Sequence, residues 1–339
     1  DTAPSGSDPF CEAWAEIAGL CDKDGDYDGA IAAIEKCKSA QMETADREWS
    51  QAQQAYARYH QFLQEVNVGH FAALRARAES LEVERVGVLA GFPRTGTTLL
   101  EQMLDAHPDL YSVEEIGVFS REINGLARNE KPANTPVLNI LNGLNEMRVR
   151  QLRYRYREVM GWMSGQAHDN RMMLDKNPAS TRMIPLMAAV FPEMRYLIAL
   201  RDPRDVILSC YLRYMPVNPV SVCFLTLERT ANRFGFDMSL WQQIRPMLGD
   251  NWCEIRYEDT VADSTRQARR ACATLGLEWD DAVVNYREKL DTKRINSPTY
   301  EAVQQPVYST SVGRWQHYQR HLEPYFDLLG PLMQEMGYS

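Results

Sequence analysis

The first part of the chain has the hydrophobic pattern of helices. From Phe10 to about Arg77, apolar residues recur at the spacing of amphipathic helices, with no strand-like alternation. Two apolar helix faces can be read, one formed by Trp14, Ile17, Ala18 and Cys21 and the next by Tyr27, Ala30, Ile31 and Ile34. A turn is predicted between them, at residues 24–26. We therefore expect a helical N-terminal module.

After Glu82 the pattern changes to short apolar runs separated by amphipathic helices. Four runs read as strands: 85–90, 171–174, 195–200 and 252–257. Their continuous apolar character is typical of strands that are buried on both faces. The alternation of strands and helices predicts an α/β fold, in which a P-loop-like core has a parallel β-sheet flanked by helices. In such folds, ligands bind at the carboxyl ends of the strands.

The change of pattern near residue 80 divides the chain. We expect a helical N-terminal extension over residues 1–80 and a second domain over residues 81–339. In the extension, Trp14, Tyr27 and small residues around them fall at the offsets of a tetratricopeptide helix pair. One repeat cannot bury its own apolar face. The pair is therefore expected to belong to a longer array or to pack on the neighbouring domain, and it is the candidate surface for a protein contact.

The turn of this helix pair has a second interpretation. Residues 24–35 match the calcium-loop pattern D-x-D-x-D-G-x5-E. Calcium loops usually come in pairs, however, and the chain shows one. The following Lys36 and Lys38 are also poor residues for the apolar helix that leaves such a loop. The turn of a helix pair is the favoured interpretation, and calcium binding is the alternative.

Composition narrows the function classes. The 339 residues include 37 Lys and Arg against 46 Asp and Glu, so the net charge is 37 − 46 = −9. This acidity argues against a non-specific nucleic-acid binder, since such proteins neutralise phosphates with a basic surplus. An anionic ligand must then be held by a local cluster. No apolar run approaches the length of a membrane span, so we expect none.

The cysteines and the first residue bear on location. Seven cysteines include no C-x-x-C pair, so neither a disulfide framework nor a zinc site is predicted. A reducing cytoplasm is the expected setting. The chain begins at Asp1 rather than at a methionine, which is consistent with a natural N-terminus further upstream.

A candidate anion site follows the first predicted strand. Residues 91–98 read Gly-Phe-Pro-Arg-Thr-Gly-Thr-Thr, and an amphipathic helix follows. Such a glycine turn directs backbone N–H groups, hydroxyls and the positive end of the helix towards a phosphate-like group. The G-x4-G spacing is that of a Walker A loop, but Thr97 stands where that loop has its lysine. This difference argues against ATP or GTP, and Arg94 offers a cation inside the loop instead.

A second candidate anion site follows the third predicted strand. Arg201 closes this strand, and Ser209 and Arg213 lie four residues apart on one face of the next helix. These three side chains could converge on a second phosphate. The neighbouring Arg204 is expected to pair with an aspartate beside it, in a structural role.

These two motifs resemble those of sulfotransferases that use 3′-phosphoadenosine 5′-phosphosulfate (PAPS). Residues 93–98 resemble the 5′-phosphosulfate loop of that family, and residues 201–209 resemble its 3′-phosphate motif. Further stretches are similar to bacterial tetratricopeptide-linked sulfotransferases and, more distantly, to protein-tyrosine sulfotransferases: 104–108, 175–178, 256–259, 275–279 and 311–315. The resemblance covers about residues 83–338 and implies that residues 81–339 are a sulfotransferase domain.

The resemblance also implies which residues bind PAPS. The 5′ end is expected to contact the loop residues Arg94, Thr95, Gly96, Thr97 and Thr98. The 3′-phosphate is expected to contact Arg201, Ser209 and Arg213, and Tyr257 to add a contact. The segment 308–314, which includes Ser311, Gly313 and Arg314, would close over the nucleotide. It lacks the lysine of the glycine pattern found in many members, which leaves the role of Arg314 open. No metal is required.

Sulfonyl transfer needs a base for the acceptor's proton and a cation near the leaving phosphate. Lys176, just beyond the second predicted strand, is expected to neutralise the bridging oxygen. Glu114, Glu115 and His107 are the candidate bases. His107 is expected to be a structural histidine with its partners satisfied, and His168 lies in a loop with no motif around it.

The resemblance to tyrosine-sulfating enzymes selects Glu115 as the catalytic base. It follows the strand-like run 110–113. Because alternate residues of an extended run point in opposite directions, only one of Glu114 and Glu115 is expected to face the site. Partial burial is expected to raise the pKa of Glu115 from its ordinary value towards working pH.

The sequence therefore predicts a sulfotransferase that moves a sulfonyl group from PAPS to a hydroxyl or an amine. It leaves the acceptor open among a small molecule, a carbohydrate, a lipid and a peptide tyrosine. Two rival functions remain. One is a small-molecule kinase with an atypical P-loop, which would require magnesium, and the other is a non-catalytic protein that acts through its helical module.

Overall fold

The computed structural model describes residues 8–128, 131–132, 135–165, 170–287 and 311–338. The chain divides into two compact units. The sheet unit comprises the described residues of 58–201 and 240–309, and the helical unit comprises those of 1–57, 202–239 and 310–339. The division of the sequence at residue 80 stays a prediction.

Helices make up most of the described chain. In chain order they are α1 (Asp8–Lys23), α2 (Tyr27–Met42), α3 (Asp46–Glu65), α4 (Val68–Ala78), α5 (Thr97–Asp105), α6 (Asn124–Arg128), α7 (Val137–Asn142), α8 (Glu146–Ser164), α9 (Ile184–Val190), α10 (Pro203–Tyr211), α11 (Leu227–Ile244), α12 (Tyr257–Ala262), α13 (Ser264–Leu275), α14 (Gln319–Leu322) and α15 (Phe326–Glu335). Short 3₁₀ segments cover Pro178–Met183, Ser221–Phe224, Arg245–Leu248, Asp281–Val283, Arg314–Tyr318 and Glu323–Tyr325, and a π-helical turn covers Phe119–Ile123.

The strands form one parallel sheet in the sheet unit. They are β1 (Val86–Gly91), β2 (Leu110–Glu114), β3 (Met172–Lys176), β4 (Arg195–Leu200) and β5 (Trp252–Arg256). Their order across the sheet is β2-β3-β1-β4-β5, and every neighbouring pair is parallel. The α/β fold class predicted from the sequence is confirmed, and the predicted strand runs agree with the observed strands to within two residues at either end.

Helices cover both faces of the sheet. On one face, α5 and α13 pack over a cluster of buried aliphatic side chains that includes Leu89, Leu174 and Leu197. On the opposite face, Tyr156 of α8 donates a hydrogen bond to Asp175 of β3. Since consecutive strand residues point to opposite faces, a strand covered on both sides must be apolar almost throughout, as the pattern of β1 shows.

In the helical unit, α1 and α2 pack against each other and are joined by the predicted turn at residues 24–26. Asp26 caps α2, because its side chain accepts a hydrogen bond from the N–H of Gly29 over 2.9 Å. Asp28 pairs instead with Arg320 and with His321. Two carboxylates of the calcium-like pattern, those of Asp26 and Asp28, are therefore engaged within the protein. Across the described ranges, no group of acidic, histidine or cysteine side chains could hold a metal ion.

None of the helices in the described ranges has the length and apolarity needed to cross a membrane.

Candidate active site

The loop after β1 is shaped by two glycines. Gly91 has a φ of 144°, and a Cβ at this position would lie 2.4 Å from the carbonyl oxygen of Ala199. Gly96, which precedes α5, has a φ of 89°, and a Cβ there would lie 2.5 Å from Cδ2 of Tyr257. Both positions combine a left-handed backbone with a close neighbour, so only glycine fits them.

The loop between these glycines has a strained backbone and an internal hydrogen bond. Arg94 has a φ of 74°, in the left-handed region that non-glycine residues rarely adopt. Buried Thr95 donates from Oγ1 to the carbonyl oxygen of Phe92 over 2.7 Å. Thr97 and Thr98 then begin α5, whose first N–H groups have no carbonyl partner within the helix. The loop thus places main-chain donors at the positive end of a helix, the arrangement expected for an anion site.

Arg201 lies beside this loop. Its Nη1 donates to the carbonyl oxygen of Arg94 over 3.2 Å, and its guanidinium lies 5.0 Å from the centroid of the Tyr257 ring. The side chain is buried, as expected for a cation held between a carbonyl and an aromatic face. Arg94, Arg201 and Tyr257, all predicted to bind PAPS, therefore form one contiguous group at the carboxyl ends of β1, β4 and β5.

A lysine–carboxylate cluster lies at the same edge of the sheet. Lys176 ends β3 with its side chain fully buried, and its Nζ lies 2.8 Å from Glu115, 3.3 Å from Glu114 and 3.4 Å from Glu101. The strand register pairs Lys176 with Leu89 of β1 on one side and with Glu114 of β2 on the other. The cluster therefore lies at the carboxyl ends of β3, which neighbours the strand leading into the glycine loop, and of β2, which neighbours β3.

The cluster fixes the charge of its lysine. Burial on its own lowers the pKa of Lys176, but the charges of Glu101 and Glu115, the hydrogen bond to Glu115 and the charge of Glu114 together raise that pKa above its ordinary value. Lys176 is consequently an ammonium at neutral pH. Three carboxyl groups therefore surround this one ammonium.

The sequence-based expectation that only one of the two glutamates faces the site is wrong. Glu114 and Glu115 both contact Lys176 Nζ. The reason is local: β2 ends at Glu114, and Glu115 adopts a φ of 48°, which turns the chain and breaks the alternation of side chains. Glu115 is 50% exposed and Glu114 is 24% exposed. Glu115 is thus exposed, so the partial burial expected of it is not observed.

Glu101 is a member of the cluster that the sequence reasoning missed. It lies on α5, is 1% exposed, and its Oε1 accepts a hydrogen bond from Ser112 Oγ over 2.9 Å. The sequence carried a signal, since Glu101 falls one helical turn after Thr97 on the helix that begins at the glycine loop.

His107 is held as a structural residue, as expected. Its Nδ1 accepts from the N–H of Asp109 over 3.0 Å, and its Nε2 lies 2.8 Å from the carbonyl oxygen of Glu278. A carbonyl can only accept, so Nε2 carries the proton and both ring nitrogens are used. His168, the other histidine considered, lies outside the described residues.

Ser209 and Arg213, predicted to bind the 3′-phosphate, belong to the helical unit. Ser209 lies on α10 and Arg213 follows that helix, and both are half-buried. Their convergence with Arg201 of the sheet unit stays a prediction. Arg204 pairs with Asp202 over 2.7 Å, as expected from the sequence, and its structural role stays a prediction.

The C-terminal segment that was expected to close over the nucleotide is described from Ser311 onward. The N–H groups of Gly313 and Trp315 each donate to the Asp205 carboxylate over 2.8 Å. Arg314 pairs with Asp22 of α1 over 2.6 Å, so its charge is already partnered within the protein. Residues 308–310 of the segment lie outside the described residues.

Comparison with known proteins identifies the family. A family model described as the sulfotransferase family matches residues 88–281, more than half of the chain. The chain belongs to the sulfotransferase family. Membership confirms the family resemblance seen in the sequence. The match spans the glycine loop, the lysine–carboxylate cluster and Arg201.

Curated relatives include several sulfotransferases. Protein-tyrosine sulfotransferase A of Caenorhabditis elegans is 25% identical over 275 residues, which cover 74% of this chain and 66% of the relative. An uncharacterized protein of Aquifex aeolicus (strain VF5) is 22% identical over 91% of this chain and 40% of its own length. This chain thus spans between 40% and 66% of the length of these two relatives.

A solved structure shares the fold of this sulfotransferase. The sulfotransferase domain from the Synechococcus PCC 7002 olefin synthase superposes with a TM-score of 0.50 at 20% identity, and the match covers 71% of this chain and 90% of that domain.

Proposed function

We propose that this chain transfers the sulfonyl group of PAPS to an acceptor hydroxyl, with Glu115 as the general base and Lys176 as the cation beside the leaving group. The observation that carries the proposal is the contact of Lys176 with Glu115, over 2.8 Å, at the end of β3, the strand next to the one that leads into the glycine loop. A base, a cation and an anion cradle at one sheet edge are the parts that this reaction needs.

The donor is expected to bind with its 5′-phosphosulfate at the glycine loop. Main-chain donors there, with Thr97 and Thr98 at the start of α5, would hold the sulfonate and the 5′-phosphate. Arg201, already fixed by Arg94 and Tyr257, offers a desolvated guanidinium for a phosphate of the same nucleotide. Ser209, Arg213, Ser311, Gly313 and Arg314 are the further donor contacts that the family resemblance proposes.

The reaction proceeds by in-line displacement at sulfur. Glu115 accepts the proton of the acceptor hydroxyl while its oxygen forms a bond to sulfur. The bond between sulfur and the bridging phosphate oxygen breaks, and its electron pair leaves with 3′-phosphoadenosine 5′-phosphate (PAP). The Lys176 ammonium stabilises the charge that develops on this oxygen. The products are the sulfated acceptor, PAP and the proton on Glu115, so atoms and charge balance.

We propose a phenolic hydroxyl, and first a peptide tyrosine, as the acceptor. The names of several relatives, protein-tyrosine sulfotransferases among them, support this choice. Chemistry supports it as well, because a phenol with a pKa of about 10 gives up its proton to a carboxylate far more readily than an aliphatic alcohol does.

Calorimetry with PAP and with ATP tests the donor assignment. We expect PAP to bind with a dissociation constant in the micromolar range or lower, and ATP with magnesium to bind much more weakly, because Thr97 replaces the lysine that a nucleoside triphosphate needs. Equal or tighter binding of ATP with magnesium would contradict the proposal and favour the kinase alternative.

A further inference from the structure

Helix α2 carries two polar side chains that are buried inside the helical unit. Lys38 is 2% exposed and Gln41 is 5% exposed. Lys and Gln are rarely buried to this degree, and their polar groups are costly to desolvate unless they make hydrogen bonds. The hydrogen-bond partners of these two side chains therefore indicate why the side chains are buried.

Both side chains hold one stretch of main chain. Lys38 Nζ donates to the carbonyl oxygen of Arg213 over 2.7 Å. Gln41 Nε2 donates to the carbonyl oxygen of Met215 over 2.9 Å. This stretch follows α10, outside regular secondary structure, so no helix or strand hydrogen bonds fix it. Two side chains that lie about 175 residues earlier in the sequence fix it instead.

The charge of Lys38 is suited to this place. Its Nζ lies 6.0 Å from the centroid of the Tyr211 ring, at the carboxyl end of α10, where the helix dipole favours a cation. Burial lowers the pKa of Lys38 to about 8, so the side chain is still mainly an ammonium at neutral pH. The buried Lys38 ammonium therefore holds the main chain of Arg213 by a hydrogen bond.

We propose that Lys38 and Gln41 are positioning residues for the 3′-phosphate of the nucleotide, acting through the main chain that carries Arg213. The inference rests on the proposed function, in which Arg213 contacts that phosphate. It makes the N-terminal helix pair part of the donor site rather than an independent module for protein contacts. The precision of a binding group depends on the residues that hold it, so loss of these two hydrogen bonds should loosen Arg213.

The test compares two nucleotides that differ in the 3′-phosphate. Dissociation constants of PAP and of adenosine 5′-monophosphate (AMP) are measured by calorimetry at pH 7 for the wild type and for Lys38→Met. The variant keeps the length and apolar packing of the side chain and removes its charge and hydrogen bond. We expect PAP to bind about 10-fold more weakly and AMP to bind within about 2-fold of the wild type.

A matched control and a second variant guard against misfolding. Lys36→Met removes a lysine from the exposed face of the same helix and should leave both affinities unchanged. Gln41→Met removes the second hydrogen bond without removing a charge and should weaken PAP binding about 3-fold. Thermal unfolding of each variant shows which of them are folded, and Gln41→Met carries the test if Lys38→Met does not fold.

A double-mutant cycle decides whether Lys38 acts through Arg213. We expect Arg213→Ala to weaken PAP binding, and Lys38→Met to add little in that background, because the group it positions has been removed. A full additional 10-fold loss in the Arg213→Ala background would overturn the proposal. So would equal losses for PAP and AMP in Lys38→Met.

The failure of this inference can be distinguished from failure of the proposed function. If the wild type binds PAP no better than AMP, the proposed donor site itself is wrong. If the wild type prefers PAP and neither Lys38→Met nor Gln41→Met reduces that preference, the donor site stands and the positioning role is wrong.

Discussion

The sheet unit and the helical unit hold their candidate donor-binding residues by different means. In the sheet unit, Arg94 and Lys176 lie within a few residues of a strand end, so the strand places their main chain: Arg94 follows β1 with a positive φ, and Lys176 ends the fully buried β3. In the helical unit, Arg213 and Arg314 depend on Lys38 and Asp22, which lie far away in the sequence.

Main-chain geometry at strand ends thus places the residues of the sheet unit, whereas side chains from distant parts of the sequence hold those of the helical unit. The non-glycine residues with positive φ in the described ranges are Arg94 and Glu115, and both are proposed site residues of the sheet unit. Strained backbone persists only where its surroundings enforce it, and it is commonly found at functional sites. The sheet unit is therefore expected to carry the chemistry, and the helical unit to adjust nucleotide affinity.

The largest expected effect is that of Glu115→Gln. The variant keeps the shape of the side chain but cannot take the acceptor proton, so kcat should fall by about 10²–10⁴-fold with little change in PAP affinity. Steady-state turnover at saturating PAPS, with calorimetry for PAP, measures both quantities. Glu114→Gln is the matched control, since it also contacts Lys176 and should lose far less activity. The reverse order of the two variants would move the base to Glu114.

A second prediction concerns the buried carboxyl group of Asp175, which precedes Lys176 in β3. Burial raises the pKa of Asp175 to about 6, and the hydrogen bond from Tyr156 lowers it only in part. The folded pKa lies above the unfolded value, so ionisation of Asp175 reduces stability as the pH rises from about 4 to about 6, by about 3 kcal/mol in total.

Asp175→Asn removes this ionisation and keeps an acceptor for Tyr156. Urea unfolding should show the variant to be more stable than the wild type at pH 8, by up to about 3 kcal/mol, with the difference shrinking as the pH is lowered through 6. If the difference in stability between the variant and the wild type does not change between pH 8 and pH 5, burial does not raise the pKa of Asp175. Such a result would weaken the contrast between the two units.

Arg201 of the sheet unit can be compared with Arg314 of the helical unit by replacing each with alanine. Arg201→Ala should remove a charge-assisted contact worth roughly 1.5–3 kcal/mol, which is about 10- to 150-fold in PAP affinity. Calorimetry with PAP and AMP measures the loss. If the variant loses as much affinity for AMP as for PAP, Arg201 does not bind the 3′-phosphate.

The smallest expected effect is that of Arg314→Ala. This side chain is 33% exposed and already paired with Asp22, so a phosphate must compete with that carboxylate. We expect a loss of PAP affinity of about 2- to 5-fold, the size of a solvent-exposed ion pair. Arg320→Ala, which removes another arginine paired with an aspartate, is the control. A loss as large as that of Arg201→Ala would erase the distinction between the units.

Much of the sheet unit could be predicted because its signals are local. The buried strands are continuous apolar runs, and the glycine loop, Lys176 and Arg201 each follow one of them directly. A parallel sheet brings such positions to one edge, so sequence order alone placed them near one another.

The prediction failed at positions where one backbone angle, or a contact with a residue distant in the sequence, determines where a side chain lies. The positive φ of Glu115 turns its side chain onto Lys176 beside Glu114, and glutamate is not a residue type that signals a left-handed backbone. Glu101 and Lys38 become buried only through contacts with elements that lie far from them in sequence. Periodicity cannot assign those contacts, since it describes one element at a time.

The most direct test of the central claim is sulfonyl transfer itself. The wild-type protein is incubated with PAPS and a panel of tyrosine peptides, phenols, alcohols and sugars, with a chelator to remove magnesium, and products are detected by mass. We expect sulfated phenolic products and PAP in equal amounts. No transfer to any acceptor by a folded protein that binds PAP, or phosphorylation of the same acceptors from ATP and magnesium, would contradict the account.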